Sequence, residues 1–354
     1  MAKKDIRSLS YSKLKEALVG MGEKAFRAKQ IEEWLWMKGA GSFHEMSNLS
    51  KGLRERLHDA FELSRITLVE QQFGSDGTIK CAFDVHAGQV VEGVLIPTSK
   101  RMTACISSQA GCSLACRFCA TGRLKLLKNL RTGEIYDQVE MIRGMAEERY
   151  NRGLTNIVFM GMGEPLLNYR AVMESIDRIC GNSGLGMSPK RITVSTAGIA
   201  KAIKRLGDDE VRFNLALSLH AANDEKRNRI MAINESNNLE ALADALQYFY
   251  ERTGTRVTFE YIIFSDFNDQ LEDARELADF CKHVPCKVNI IEYNPIEDGE
   301  FQQASPERVE AFVAFLESRN IIVNVRRSRG KDIDAACGQL ANKNTAAIPQ
   351  LKKV

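Results

Sequence analysis

No run of about 18–20 uncharged apolar residues occurs in the chain, so no segment reads as a membrane-spanning helix. The opening residues, MAKKDIRSLS, hold no apolar stretch of the kind that marks a secretory signal, which points to a cytoplasmic protein. There is no internal repeat and no low-complexity linker, which excludes a repeat array. A strong charge of one sign is also missing, since Lys+Arg 49 nearly balances Asp+Glu 46. The cysteines number nine, an odd count, and in a reducing compartment they read as metal ligands or reactive thiols, not as a disulfide framework. What is present is a globular composition. With 354 residues, 44% hydrophobic and 27% charged, the chain can bury a core, and its length suits one large domain with an attachment, or two domains.

The charge is unevenly placed. Residues 1–68 hold 13 basic and 9 acidic side chains, residues 321–354 hold 7 and 2, and the remainder is acidic. Basic ends around an acidic middle suggest a polyanion gripped from two sides, although ordinary scatter with a solvated tail gives the same counts. Apolar residues at three- and four-residue spacing (Leu14, Leu18; Ile31, Trp34, Leu35; Leu49, Leu53, Leu57) predict short helices over 11–62, broken at Gly20, Gly22, Gly39 and Gly41. Residues 1–65 therefore read as a small helical N-terminal domain. Over 66–100 the β-branched segments ITLVEQQF, TIKCAFDV and QVVEGVLIP, separated by SDG and HAG, predict an antiparallel connecting segment. From 101 to 325 seven strand candidates alternate with helical candidates. Such alternation means right-handed βαβ units around a parallel sheet, and six of them make a full or partial (β/α)6 barrel. Ligands then gather at the carboxyl ends of the strands. Residues 326–354 form a basic C-terminal segment.

Just after the first of these strands, GCSLACRFCATG carries Cys112, Cys116 and Cys119 in C-x3-C-x2-C spacing. Three thiolates this close can converge on one small cluster. Zinc normally takes four protein ligands, and no local Cys or His supplies a fourth. A 4Fe–4S cluster held by three cysteines leaves one iron open, where S-adenosylmethionine (SAM) can chelate. The bland alternatives are three buried cysteines or a zinc site completed from afar. After each later strand stands a small polar group: Gly161, Gly163 and Glu164 in GMGEP, then Ser195, Ser218 with His220, and Asn294. Each alone reads as a turn or core residue. Together they make a ring around one site.

Cys105 lies in the first strand, seven residues before the cluster, and Cys337 lies in RGKDIDAACGQL near Arg326, Arg327, Arg329 and Lys331, cations that would lower a thiol's pKa. Cys337 is equally readable as a structural cysteine beside a basic tail. Glu92 sits in the apolar strand VVEGVLIP, either pointing outward or buried with a raised pKa.

Taken in order, GEKAFRAKQIEEWLW, VVEGVLIP, CISSQAGCSLACRFCATG, FMGMGEPLLNY, ITVSTAGI, LALSLHA, EYNPIE and ACGQL resemble the RlmN-type RNA methyltransferases of the radical SAM superfamily, which methylate adenine C2. The resemblance covers nearly the whole chain. It implies that Cys112, Cys116 and Cys119 hold a 4Fe–4S cluster and that Gly163, Glu164, Ser195, Ser218, Leu219, His220 and Asn294 bind SAM. It further implies that Cys337 is transiently methylated, that Cys105 resolves a protein–RNA crosslink by a disulfide with Cys337, and that Glu92 accepts a proton. Two SAM molecules are used per turnover. By the same resemblance the substrates are 23S ribosomal RNA near the peptidyl transferase centre and an anticodon-loop adenosine of some transfer RNAs. The electron donor is a protein such as flavodoxin, and the enzyme is a monomer with no membrane partner. The target adenine must leave its stack, and Arg123, Lys125, Lys128 and Arg131 are placed to grip phosphates. Two alternatives stay open. One is the Cfr-type enzyme, which methylates adenine C8 and confers antibiotic resistance. The other is a non-catalytic RNA-binding factor with a structural metal.

Overall fold

The computed structural model describes residues 3–86 and 88–342, so the end of the basic C-terminal segment, 343–354, lies outside the described residues. Three helices form the N-terminal part, α1 (Tyr11–Gly20), α2 (Arg27–Trp36) and α3 (Lys51–Ala60). Ser10 and Ser50 start α1 and α3 by accepting the backbone N–H groups of Lys13 and Leu53, satisfying donors that a helix leaves unpaired. Leu14 and Leu18, then Ile31 and Leu35, then Leu53 and Leu57 face inward at helical spacing. Lys4–Asp5 pairs in parallel with Phe61–Glu62, a short pairing that the sequence did not announce.

The remainder is built on one ten-stranded sheet. Its strands are β1 (Thr67–Phe73), β2 (Ile79–Asp84), β3 (Val90–Pro97), β4 (Met102–Cys105), β5 (Asn156–Phe159), β6 (Ile192–Thr196), β7 (Asn214–Ser218), β8 (Val257–Ile263), β9 (Cys286–Glu292) and β10 (Val323–Arg326). Each pairs with its neighbour in sequence. The pairings from β1 to β4 are antiparallel, as the turn residues predict. Those from β4 to β10 are parallel. The crossovers carry α4 (Thr132–Tyr150), α5 (Tyr169–Cys180), α6 (Ala200–Asp208), α7 (Asp224–Ile230), α8 (Leu239–Thr253), α9 (Leu271–Phe280) and α10 (Pro306–Ser318). The short α7 was not foreseen; its seven residues, DEKRNRI, are too polar to show an apolar period. Helices covering a parallel sheet explain why β8 is buried at every position. This is the partial barrel expected. After β10 the chain crosses back to the β1–β2 turn, where Arg329 pairs with Asp76 at 3.0 Å and the Ser75 N–H reaches Asp332 at 2.8 Å.

The helical part and the barrel share one apolar cluster. At their boundary lies a buried ion pair, Arg7 to Asp137 of α4 at 2.7 Å, with side chains 2% and 1% exposed. Asp137 also accepts the Ile66 N–H at 3.2 Å and faces Arg65 at 3.2 Å. Gly133, in the first turn of α4, makes room for this contact, because a Cβ there would stand 2.7 Å from the Arg7 guanidinium carbon. Trp36 meets Tyr136 edge-to-face, ring centroids 5.1 Å apart, and the Tyr136 hydroxyl donates to the Trp36 carbonyl. Breaking a buried pair strands its partner charge. Asp137→Ala is therefore expected to cost about 3–5 kcal/mol, read as a lower urea midpoint, with an exposed control such as Glu240→Ala unchanged.

Candidate active site

At the end of β4 the chain enters a loop closed at its base by pairing of Gln109–Ala110 with Lys128–Asn129. Inside it, tight turns bring the Cys119 N–H to the Cys116 carbonyl at 3.1 Å and the Gly122 N–H to the Cys119 carbonyl at 3.0 Å. The loop is docked on the end of α7, where the Arg117 N–H reaches the Ile230 carbonyl at 3.0 Å. Cys112, Cys116 and Cys119 all face one cavity, which opens at the carboxyl ends of the parallel strands. All three are free thiols. Burial pushes Cys112 up to about 11 and raises Cys116 and Cys119 as well. The thiols are thus protonated in the bare chain, and a metal's charge would be needed to draw off the protons. Among the described residues no three His, Cys, Asp or Glu side chains are set for a single metal ion. A cubane binds each thiolate to a different iron, which asks for a wider triangle than mononuclear zinc.

Opposite the loop stand residues suited to SAM. Gly163, at φ +93°, lies against Gln109, and a Cβ there would come within 2.4 Å of the Gln109 Cβ. The close approach lets the Gln109 amide oxygen take the Glu164 N–H at 2.7 Å. Glu164 is buried, its carboxylate accepting the Leu166 and Ala197 N–H groups at 3.0 and 2.7 Å, and burial raises its pKa. Ser195 and Ser218 meet hydroxyl to hydroxyl at 3.3 Å. His220 lines the cavity with its ring edge-on to Phe118, centroids 4.7 Å apart, and its Nδ1 accepts the Ile262 N–H at 3.1 Å. Leu219 and Asn294 are not on the cavity wall among the described residues. Leu219 is fully buried, its carbonyl accepting Arg227 Nε at 3.1 Å and its N–H donating to the Glu260 carbonyl at 3.0 Å. Asn294 donates to the Cys337 carbonyl at 3.2 Å, while its own side-chain oxygen is buried with no hydrogen-bond partner. An orphaned acceptor beside the cavity, a glycine cradle and three convergent thiols are features that a cluster with bound SAM would fit.

Cys105 and Cys337 face the same cavity. Burial lifts Cys105 to about 12, while Cys337, which is exposed to solvent but crowded by protein on its other sides, is pushed up to about 11, and Arg326 opposes the rise at both. The cations near Cys337 in sequence therefore do not leave it a low-pKa thiol. Arg326 is engaged by Glu260 at 2.9 Å, Arg329 by Asp76 and Lys331 by Glu292. Glu92 is 1% exposed, so its strand does not turn it outward. It lies 3.7 Å from the Lys80 ammonium and accepts the Ala341 and Asn342 N–H groups at 2.9 and 3.2 Å. It is not on the cavity wall among the described residues. The basic residues after the cysteine loop are mostly committed within the chain. Arg123 donates to the carbonyls of Glu297 and Asp298, Lys128 pairs with Glu134 at 2.6 Å, and Arg131 lies 3.8 Å from Glu62. Sequence reading missed Glu260 and Arg227 as parts of the site wall and its backing, since neither stands in a recognisable motif.

Two family models match the chain: the ribosomal RNA large subunit methyltransferase N-terminal domain over residues 4–63, and the radical SAM superfamily over residues 106–281. Two proteins named "Probable dual-specificity RNA methyltransferase RlmN" are similar over almost their whole length. The one from Flavobacterium psychrophilum is 57% identical, covering 96% of this chain and 98% of its own. The one from Cytophaga hutchinsonii is 58% identical, covering 96% and 93%. A crystal structure of a radical SAM methyltransferase from Sphaerobacter thermophilus superposes with a TM-score of 0.89 at 39% identity, covering 95% of this chain and 99% of that one.

His220 gives the site a pH signature. Burial, followed by the Arg227 charge, lowers it to about 3, so the folded chain holds it neutral above that value. The unfolded chain protonates histidine near pH 6.5, about its ordinary value. Between the two the unfolded state binds the extra proton, so this residue makes the fold less stable as pH falls, by about 1.4 kcal/mol per pH unit. His220→Asn should remove that slope in the cluster-free protein, read as unfolding free energy between about pH 6 and about pH 4.

Proposed function

The chain belongs to the RlmN family of dual-specificity RNA methyltransferases, within the radical SAM superfamily, and from that premise we propose that it methylates C2 of an adenosine in RNA by way of a methylated Cys337. A 4Fe–4S cluster and SAM are its cofactors. We assign the cluster to Cys112, Cys116 and Cys119, and the SAM contacts to Gly163, Glu164, Ser195, Ser218, His220, the Leu219 backbone and Asn294. The observation that supports this reading best is that one cavity gathers the three loop thiols with Cys105 and Cys337.

Adenine C2 is an electron-poor ring carbon, so direct methyl transfer from a sulfonium is unfavourable there. When bound, SAM and the cluster supply a methyl group and, on reduction, a carbon radical able to remove hydrogen from it. The chain's own residues do the rest. Cys337 carries the methyl group on its sulfur and holds it toward the base. Glu92 takes the C2 proton after the new carbon–carbon bond has formed, and the adduct gives up one electron, which a bound cluster would take back. The Cys105 thiolate then attacks the Cys337 sulfur, a disulfide forms, the bond from that sulfur to the methylene breaks with its electron pair, and the methylene takes up a proton to become the methyl group, freeing the RNA. Arg326, beside both thiols, favours the thiolate each time one is needed. Glu92 is held by the amides of Ala341 and Asn342, so its role requires that segment to let go. By the same reading the substrates are 23S ribosomal RNA near the peptidyl transferase centre and an anticodon-loop adenosine in some transfer RNAs, with a flavodoxin-like donor. The base must be extruded to reach the cavity.

The test is anaerobic. Protein with a reconstituted cluster is incubated with SAM, a reductant and protein-free 23S RNA, and the digested nucleosides are weighed by chromatography and mass spectrometry. 2-Methyladenosine is expected. 8-Methyladenosine would make this a Cfr-type enzyme, and no methylated adenosine from 23S RNA, nor from transfer RNA treated in the same way, would favour a non-catalytic RNA-binding factor. Cys112→Ala should lose both iron and turnover, whereas Cys105→Ala should hold RNA covalently bound to protein. Free methylated product from Cys105→Ala at the wild-type rate would remove Cys105 from the scheme.

A further inference from the structure

Arg227 of α7 is completely buried. Its four described hydrogen bonds all go to neutral acceptors. Nε donates to the Leu219 carbonyl at 3.1 Å, Nη1 to the Asn234 amide oxygen at 2.6 Å, and Nη2 to the carbonyls of Ala197 and Ser218 at 2.6 and 3.2 Å. Other buried cations here have a carboxylate, Arg7 its Asp137 and Lys80 its Glu92. Among the described residues none pairs with Arg227. The carboxylate that acts on it is Asp224, whose Oδ1 is taken by the Asn234 side chain at 2.7 Å and the Leu239 N–H at 3.0 Å. The cysteine loop is seated on the same helix, through the Arg117 N–H on the Ile230 carbonyl and the Arg117 guanidinium on the Arg229 carbonyl at 3.1 Å.

A buried cation with no counter-ion is costly; its neutral acceptors offset part of that cost, and an anion arriving beside it would offset more. An iron–sulfur cubane held by three thiolates is a net anion, and reduction adds a further negative charge. We propose that Arg227 is the built-in counter-ion of the cluster and raises its reduction potential. The proposal rests on the assignment of the cluster to Cys112, Cys116 and Cys119. A fixed cation in a water-poor wall favours the more negative, reduced state, and it does so at no cost in reorganisation. The same guanidinium is a positioning residue. It ties Ala197, beyond the end of β6, to Ser218 and Leu219 at the end of β7, the strand ends that present Ser195 and Ser218 to SAM. Charge and hydrogen bonding can be separated experimentally.

Wild type, Arg227→Gln, Arg227→Lys and Asp224→Asn are reconstituted anaerobically and assayed for iron and sulfide. Each is then titrated potentiometrically, with the reduced cluster counted by electron paramagnetic resonance. At the wild-type midpoint, loaded Arg227→Gln should show a reduced-to-oxidised ratio about tenfold lower, equivalent to about 59 mV for one electron. Arg227→Lys keeps the charge and should keep the midpoint, while its melting temperature falls because the planar fork is lost. Asp224→Asn removes an opposing charge and should move the midpoint up. An unmoved midpoint in loaded Arg227→Gln overturns the proposal. If that variant does not fold, Asp224→Asn decides: a raised midpoint upholds the counter-ion and an unmoved one overturns it. Wild type that takes up no iron or sulfide instead overturns the cluster assignment itself.

Discussion

Cys337 lies outside the sheet, and a handful of hydrogen bonds across the open end of the barrel gives it a fixed place. The Ala120 N–H donates to the Gly338 carbonyl at 2.7 Å, and the Thr121 hydroxyl to the Leu340 carbonyl at 2.6 Å. Gln339 reaches the Pro295 carbonyl at 3.1 Å, and Asn294 the Cys337 carbonyl at 3.2 Å. Each such bond is worth only about 1 kcal/mol net. Their effect is geometric, because they join the cysteine loop, the end of β9 and the C-terminal segment into one wall. Without that wall Cys105, fixed at the end of β4, would face no second thiol. The redox and methyl-carrying roles proposed for the two cysteines both depend on this closure.

The charge balance of the site follows from the same enclosure. Cys105 is buried, Cys112, Cys116 and Cys119 are partly buried and Cys337 is exposed, yet the surrounding protein raises all five thiols, so the bare cavity holds them neutral. Cationic guanidinium groups nevertheless stand in its wall, as Arg326 does, and behind it, as Arg227 does. Arg326 has the Glu260 carboxylate, and Glu260 is in turn held by the Asn289 amide at 2.8 Å across β8 and β9. Arg227 has only neutral acceptors. A cavity of protonated thiols beside an unpaired cation is poised to take up negative charge, which is what deprotonating thiols onto iron would provide. The buried Arg7–Asp137 pair shows the contrasting case, in which the chain supplies both signs itself.

Much of this was readable from the sequence because strand–helix alternation is a strong signal. The helix periods at 11–62, the turn SDG and the parallel units were all visible in residue spacing, and the polar residues fell at strand ends as βαβ geometry requires, while Ala87 of HAG lies outside the described residues. Side-chain direction was less legible. Glu92 alternates with apolar neighbours in a strand buried nearly throughout, so the alternation that would set it inside or outside is absent. Local charge says little about partners: Arg123 reaches the Glu297 carbonyl and Arg131 lies 3.8 Å from Glu62, both far along the chain, whereas Lys128 pairs with the nearby Glu134. Arg227 could not be found at all, since its meaning lies in partners that it lacks.

Glu92 brings these threads together. Its carboxylate caps the amides of Ala341 and Asn342, and the same segment seats Cys337 over the cavity. Burial raises its pKa while Lys80 and the two amides lower it. On the proposed reading of Glu92 as proton acceptor, those two amides hold one of its oxygens until the segment lets go. Release of the segment would remove two hydrogen bonds that favour the ionised form and leave burial less opposed, shifting the carboxylate toward a better proton acceptor. A base that gains strength only when the wall beside Cys337 opens would be withheld until the RNA displaces that wall. Closure of the cavity and proton removal would then be successive states of one segment, coupled through a single carboxylate.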